Sequence, residues 1–177
     1  SGKTLLMPGD EDNYTVVFSY KDESNNTGTR ELIIYPKNPK LEIAGTAIDG
    51  YLKGATVSFE GNNDRMGPSS QTDEAGKFSL LFTDDNFSSF DHNEDGILSS
   101  TEGLIMVRGG VDMDTNGSFL GVLWADSNSS IVSPLTSLLS TLVSIGLSKE
   151  EANDLILQSF GMNENVDLSQ YDPYLNA

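Results

Sequence analysis

The chain has 177 residues, 37% of them apolar, enough for one good-sized domain or one domain plus a fragment. Acidic residues outnumber basic ones 27 to 10, and a formal charge of −17 repels nucleic acid and anionic lipid, which sets both aside as partners. The lack of cysteine excludes disulfides and thiolate metal sites, and no apolar run is long enough to span a bilayer.

The first predicted element is a β-hairpin, "NYTVVFSYKDESNNTGTRELIIYP". Tyr14, Val16, Phe18 and Tyr20 alternate with Thr15, Val17 and Ser19, "DESNNTG" supplies a turn, and "RELIIY" returns. Two prolines in "PKNPK" then break the pattern, as a linker does, which divides the chain into residues 1–38 and 39–177. From Leu41 the sequence is strand-rich again. "ATVSFE" points Ala55, Val57 and Phe59 one way, and "KFSLLF" does the same with Phe78, Leu80 and Phe82. "LIMVRGG" and "FLGVLWA" read as interior strands, the latter placing Trp124 in the core.

After Ile131 the period becomes helical. Ser133 is the expected N-cap, Pro134 fits the first helical position, and Leu135, Leu138, Leu139 and Leu142 mark one face up to Gly146. Ser148 to Glu151 forms a capping box for a second helix, which should bury Ala152, Leu155, Ile156 and Phe160 and end at Gly161. The tail "VDLSQYDPYLNA" is irregular. The predicted fold class is mainly β with α (α+β): a β-rich module, stabilised by calcium, with a C-terminal helical hairpin, preceded by a separate β-hairpin.

The stretch "DHNEDGILSSTE", residues 91–102, matches an EF-hand-like loop. Its ligand positions hold Asp91, Asn93, Asp95, the Ile97 carbonyl, Ser99 and Glu102, and Gly96 stands where the backbone must turn sharply. Ca²⁺ needs six to eight hard oxygens, and this order supplies them. The flanks do not read as the paired helices of a calcium sensor, so the ion is expected to fasten the fold. A second cluster, "GGVDMDTNG", sets Asp112, Asp114 and Asn116 between Gly110 and Gly117. It lacks the closing glutamate and reads as an open calcium site that needs ligands from elsewhere. Weaker candidates are Glu60, Asn62 and Asp64, and the pair Asp84 and Asp85. Catalysis is poorly supplied. The one histidine, His92, sits in the calcium loop, and neither Gly-x-Ser-x-Gly nor His-Glu-x-x-His occurs, so no enzyme is expected.

The first hairpin resembles the closing hairpin of bacterial immunoglobulin-like repeats. From Leu41 onward, "GTAIDGYLKGATVSFE", "TDEAGKFSL", the Asp-x-Asn-x-Asp-Gly loop, "RGGVDMDTNG", "SIVSPLTSLLS" and "VDLSQYDPYLNA" follow in an order similar to the calcium-dependent peptide-binding domain of giant bacterial RTX adhesins, of the Marinomonas and Vibrio type. That resemblance implies a monomeric module within a long extracellular adhesin on the bacterial cell surface, a biofilm protein that holds several calcium ions and grips C-terminal peptides of proteins on host or neighbouring cells. It implies that Asp91, Asn93, Asp95 and Glu102 hold one calcium ion. It also implies that Asp112 and Asp114 lie beside the bound peptide, with further ligand contacts at Gly110, Asn116 and Ser133. The competing expectations are a carbohydrate-binding module and a structural spacer rigidified by calcium.

Overall fold

In the computed structural model the alternating stretch after Asn13 forms β1 (Tyr14–Lys21), and the return forms β2 (Thr27–Ile34). They pair antiparallel from Tyr14 opposite Ile34 to Lys21 opposite Thr27. The structure describes residues 14–21, 24, 27–34, 39–62 and 65–175; the side chains of Tyr14, Val16, Phe18 and Tyr20 lie outside that description. The chain divides into two units, Ser1–Asn38 and Pro39–Ala177.

The second unit is built in chain order from β3 (Leu41–Ala47), β4 (Leu52–Lys53), β5 (Thr56–Gly61), β6 (Arg65–Gln71), β7 (Lys77–Phe82), α1 (Asp84–Phe87), β8 (Gly103–Arg108), β9 (Val111–Asp112), β10 (Gly117–Ser118), β11 (Val122–Asp126), β12 (Ile131–Val132), α2 (Pro134–Ser144) and α3 (Lys149–Phe160). Three sheets result, in the orders β12-β3-β7, β11-β8-β5-β6 and β10-β9-β4. All pairings are antiparallel except that of β12 with β3.

The period-two pattern explains the core. Val57 and Phe59 of β5, Ile105 and Val107 of β8, and Leu123 and Ala125 of β11 share one buried face. They meet Phe78, Leu80 and Phe82 of β7 and Ile43 of β3. Phe59, Phe82, Phe87 and Phe90 stack edge to face at centroid distances of 5.2–6.3 Å. Such rings each stabilise the fold by roughly 1.5–3 kcal/mol through burial. Phe90 immediately precedes the candidate calcium loop, so this cluster is also the loop's floor.

Trp124 departs from expectation. Its strand neighbours Leu123 and Ala125 are core, so alternation turns the indole to the other sheet face, where it is only partly buried. Its backbone lies at the free edge of the sheet. The Trp124 N–H donates to Ser137 Oγ at 2.8 Å and its carbonyl accepts from Thr136 Oγ1 at 3.0 Å, so α2 closes that edge with hydroxyls. β6 forms the opposite edge and carries Pro68, which an edge strand tolerates because the missing N–H has no ladder partner to lose.

Ser133 caps α2, accepting from the Thr136 N–H at 3.3 Å, and Ser148 caps α3 with Glu151 closing the box. Gly161 adopts φ of 65° to end α3. The helices pack through Leu139, Ala152, Ile156, Leu157 and the tail residue Leu168. Three residues of the expected stripes lie outside that seam: Leu138, Leu155 and Phe160 are 38%, 45% and 61% exposed. The tail explains the shift. Asn153 donates from Nδ2 to the Val166 carbonyl and accepts the Leu168 N–H, which draws the tail across α3 and seats Leu168 beside Leu157.

Candidate functional site

Residues 91–102 form a loop closed by its own hydrogen bonds. Gly96 takes φ of 80°, the left-handed turn that glycine accepts at no steric cost, and Glu94 also lies there at 56°. Asp91 accepts the Asp95 N–H at 3.2 Å and the Gly96 N–H at 3.0 Å. Asn93 Oδ1 accepts a second bond from the Asp95 N–H, and Asp95 accepts the Ile97 N–H at 2.8 Å. Glu102 closes the ring: one oxygen accepts the His92 N–H at 2.9 Å, and the other accepts the Ser99 N–H and hydroxyl at 2.9 and 3.0 Å.

Two side chains anchor the loop to the β-structure. Leu98 is buried in the main core, and its carbonyl accepts from the Ser127 hydroxyl. Ile97 beside it is 56% exposed, so that position contributes a backbone carbonyl rather than packing. The exit is pinned to the end of β5 by the Asn62 N–H, which donates to the Glu102 carbonyl at 3.1 Å, and by the Asn62 side chain, which donates to the Thr101 carbonyl.

Asp91 and Glu102 are 8% and 3% exposed, and neither meets a cationic side chain among the described residues. Burial pushes the Glu102 carboxyl up, but the bonds from Ser99, His92 and Asn93 outweigh it and hold the group below its ordinary range. The loop's own N–H groups thus hold both carboxylates, and in a strongly acidic protein a cation joining them would add to that stabilisation. Among the described residues no three His, Cys, Asp or Glu side chains converge tightly enough to make a metal cluster from such groups alone. The loop's donor set is broader, adding Asn93, Ser99 and the Ile97 carbonyl to its three carboxylates. Each Asp91 oxygen accepts one N–H and keeps a second lone pair, whereas the Glu102 oxygen that accepts both the Ser99 N–H and hydroxyl would meet an ion only if the hydroxyl turned away. In donor type and order the loop fits a calcium ion.

The second cluster is a hairpin tip. β9 and β10 pair through Asp112 opposite Gly117, and four turn residues lie between. Asp112 accepts the Thr115 hydroxyl at 2.6 Å and the Asp114 N–H at 2.8 Å, which hold its carboxyl below the usual range. Asn116 is exposed at φ of 55°. Gly110 has a packing role: a Cβ there would come within 2.7 Å of the Ala55 nitrogen. Gly50 similarly leaves room for the Asp112 carboxylate, which a Cβ would overlap at 1.7 Å.

The tail covers this tip. Tyr174 donates its hydroxyl to Asp114 and sets its ring 5.0 Å from that of Tyr51. Tyr51 in turn donates to Asp172 at 3.0 Å, and Asp172 also accepts the Tyr174 N–H at 2.8 Å. The bond to Asp114, together with burial and the charge of Asp112, pushes the Tyr174 phenol up to about 12. Burial, and then the bond to Asp172, raise Tyr51 as well.

Ser133 is 6% exposed and engaged as the α2 cap, so its oxygen serves the helix. Asp84 and Asp85 lie in the first turn of α1. Asp64 lies outside the described residues. Tyr51, Asp172 and Tyr174 did not stand out in the sequence as part of the Asp112–Asp114 tip, because they come from distant segments. The one local signal was "YDPY", a polar–aromatic alternation in a tail otherwise read as irregular. No family model, no curated protein and no solved structure matches the chain.

Proposed function

We propose that residues 39–177 form a calcium-dependent adhesion module of a large bacterial surface protein, exposed outside the cell, that grips C-terminal peptides of target proteins. The observation that carries the calcium part is the pair of buried carboxylates, Asp91 and Glu102, in a loop with no cationic partner among the described residues. Asp91, Asn93, Asp95, the Ile97 carbonyl, Ser99 and Glu102 would hold the ion. Bound there, it would supply positive charge and cross-link the loop. The peptide part rests on the order of motifs along the sequence, "SIVSPLTSLLS" and "VDLSQYDPYLNA" above all.

In this reading the Asp112–Asn116 tip is the second calcium site and lies next to the peptide terminus. A carboxylate approaching a protein of charge −17 needs a local reversal of sign, which a partly open divalent cation provides. Asp112 and Asp114 would hold that ion, and Tyr174 must then release Asp114. The competing reading is a structural module in which calcium serves the fold alone. It is favoured by the anchoring of the loop through Phe90 and Leu98 and by the cover that Tyr174 places over Asp114.

Calorimetry against short peptides with free or amidated C-termini, in calcium and in EDTA, separates them. Binding that requires both the free carboxylate and calcium supports the peptide grip. A calcium-dependent rise in melting temperature with no peptide bound in any condition leaves only the structural role.

A further inference from the structure

β3 has a different partner on each side, and its hydrogen bonds show which residues face which. The Ala47 N–H donates to the Gly76 carbonyl at 2.9 Å, in line with the β7 pairing. The Thr46 and Ile48 N–H groups donate to the Ser130 and Val132 carbonyls at 2.9 and 2.8 Å, on the β12 side. Backbone groups alternate along a strand, so the odd-numbered residues of β3 turn theirs to β7 and the even-numbered ones turn theirs to β12.

β12 is only Ile131–Val132. Upstream of it the ladder stops, because the Ser130 N–H that would continue it donates to the Ser169 carbonyl of the tail at 3.0 Å. The N–H and carbonyl of Glu42 and of Ala44 are therefore left without a backbone partner on that side among the described residues. Both residues are exposed. A groove of about 250 Å³ runs beside them, lined also by residues 96–98 of the candidate calcium loop and by 127–130. The exposed Ile97 gives it an aliphatic surface. Glu42 is the one charged residue in its lining, and its carboxylate meets no cationic side chain among the described residues. A short open edge beside a groove is the template on which an extended peptide adds as a strand.

We propose that this groove takes an extended peptide segment bearing a lysine or arginine, which adds to β3 as a strand in line with β12. The segment's backbone pairs with the open groups of Glu42 and Ala44, its cation meets the Glu42 carboxylate, and an aliphatic side chain lies on Ile97. Charge favours such a guest twice, through Glu42 and through a chain with 27 acidic residues against 10 basic ones. The site uses neither Asp112 nor Asp114, and it needs no free C-terminus, so it is separate from the peptide grip proposed above.

The test is amide hydrogen exchange and chemical-shift titration by NMR on the whole chain, in calcium and in EDTA. Without peptide, the Glu42 and Ala44 amides should exchange much faster than those of Ile43 and Gly45, which face β7. The probe is an acetylated and amidated hexapeptide of alternating threonine and valine with one central lysine. It should give saturable shifts and slow the exchange of Glu42 and Ala44. Two versions N-methylated on alternate amides separate strand addition from loose contact. The version methylated on the edge that faces β3 should bind at least about tenfold more weakly, and the other should keep most of its affinity. Glu42→Lys, or glutamate in place of the peptide's lysine, should weaken binding about fivefold. Ala44→Pro removes an N–H outside the β7 ladder and should abolish binding, with the slow exchange of Ile43 and Gly45 reporting that the sheet is intact. Slow exchange at Ala44 without peptide, or equal affinity for both methylated versions, would overturn the proposal. So would the absence of any saturable shift in both buffers. Protection that grows with protein concentration alone would replace the peptide by a second copy of the chain. The probe has no terminal carboxylate, so its binding would stand even if the carboxylate-dependent titration failed.

Discussion

Glu102 has two separable duties. It supplies oxygens to the candidate calcium loop, and it satisfies the N–H groups of His92 and Ser99. Glu102→Ala should therefore weaken the fold in EDTA as well as calcium binding, by about 1–3 kcal/mol for the donors left unpaired. Asp95→Ala, whose carboxylate is more exposed, should reduce calcium affinity with a much smaller loss in EDTA. Urea melts of both variants with and without calcium would show the split; equal losses in EDTA would mean that Glu102 is not the closing acceptor of the loop. Tyr174 makes a different prediction. Its phenol keeps a proton to higher pH when folded than when unfolded, because Asp114 accepts from it. The tail contact is thus intact below about pH 10, the ordinary tyrosine value, and is lost as pH rises through about 12. In calcium-free buffer a tyrosinate absorbance titration should show a step near 12, and Tyr174→Phe should remove it.

At the scale of elements, the caps should be worth what their geometry implies. Ser133→Ala removes the acceptor for the Thr136 N–H and should cost about 1 kcal/mol. Much of this level was legible in the sequence. Ala55, Val57 and Phe59, and Phe78, Leu80 and Phe82, alternate as half-buried strands must, and all six are buried. Ser133, Pro134, Ser148 and Gly161 mark helix ends by chemistry that acts within one turn. The misplaced residues have causes that lie far along the chain. Leu155 and Phe160 fit a helical stripe, but the stripe that packs is decided by Leu168 and by the bonds Asn153 makes to the tail. Trp124 reads as core inside an apolar run, yet period two puts it opposite Leu123 and Ala125. The loop at 91–102 was legible because its ligands are contiguous. The Tyr51–Asp172–Tyr174 cover was not, since |i−j| is 121 between the first two and no local pattern links them.

For the whole molecule, the proposed calcium binding would act together with charge. A chain at −17 repels itself in the folded state, and each divalent cation bound removes part of that cost. Calcium should raise the melting temperature of the second unit, with a stabilisation of about 2.7 kcal/mol once the free ion reaches a hundred times its dissociation constant. Magnesium at the same concentration should do far less, because it demands a tighter octahedral shell. A scan that shows the same transition in EDTA, calcium and magnesium would remove the metal from the account of this fold.

The closed edge at β11 has a consequence for crowding. At high local protein concentration an open strand edge invites pairing between molecules. Ser137 and Thr136 occupy the N–H and carbonyl of Trp124 with side-chain hydroxyls, so at that residue the edge is already engaged. Two hydroxyls on one turn of helix thus cover the outward groups of Trp124, and Ser137→Ala, which uncovers its N–H, should raise the tendency of concentrated protein to associate, as light scattering would show.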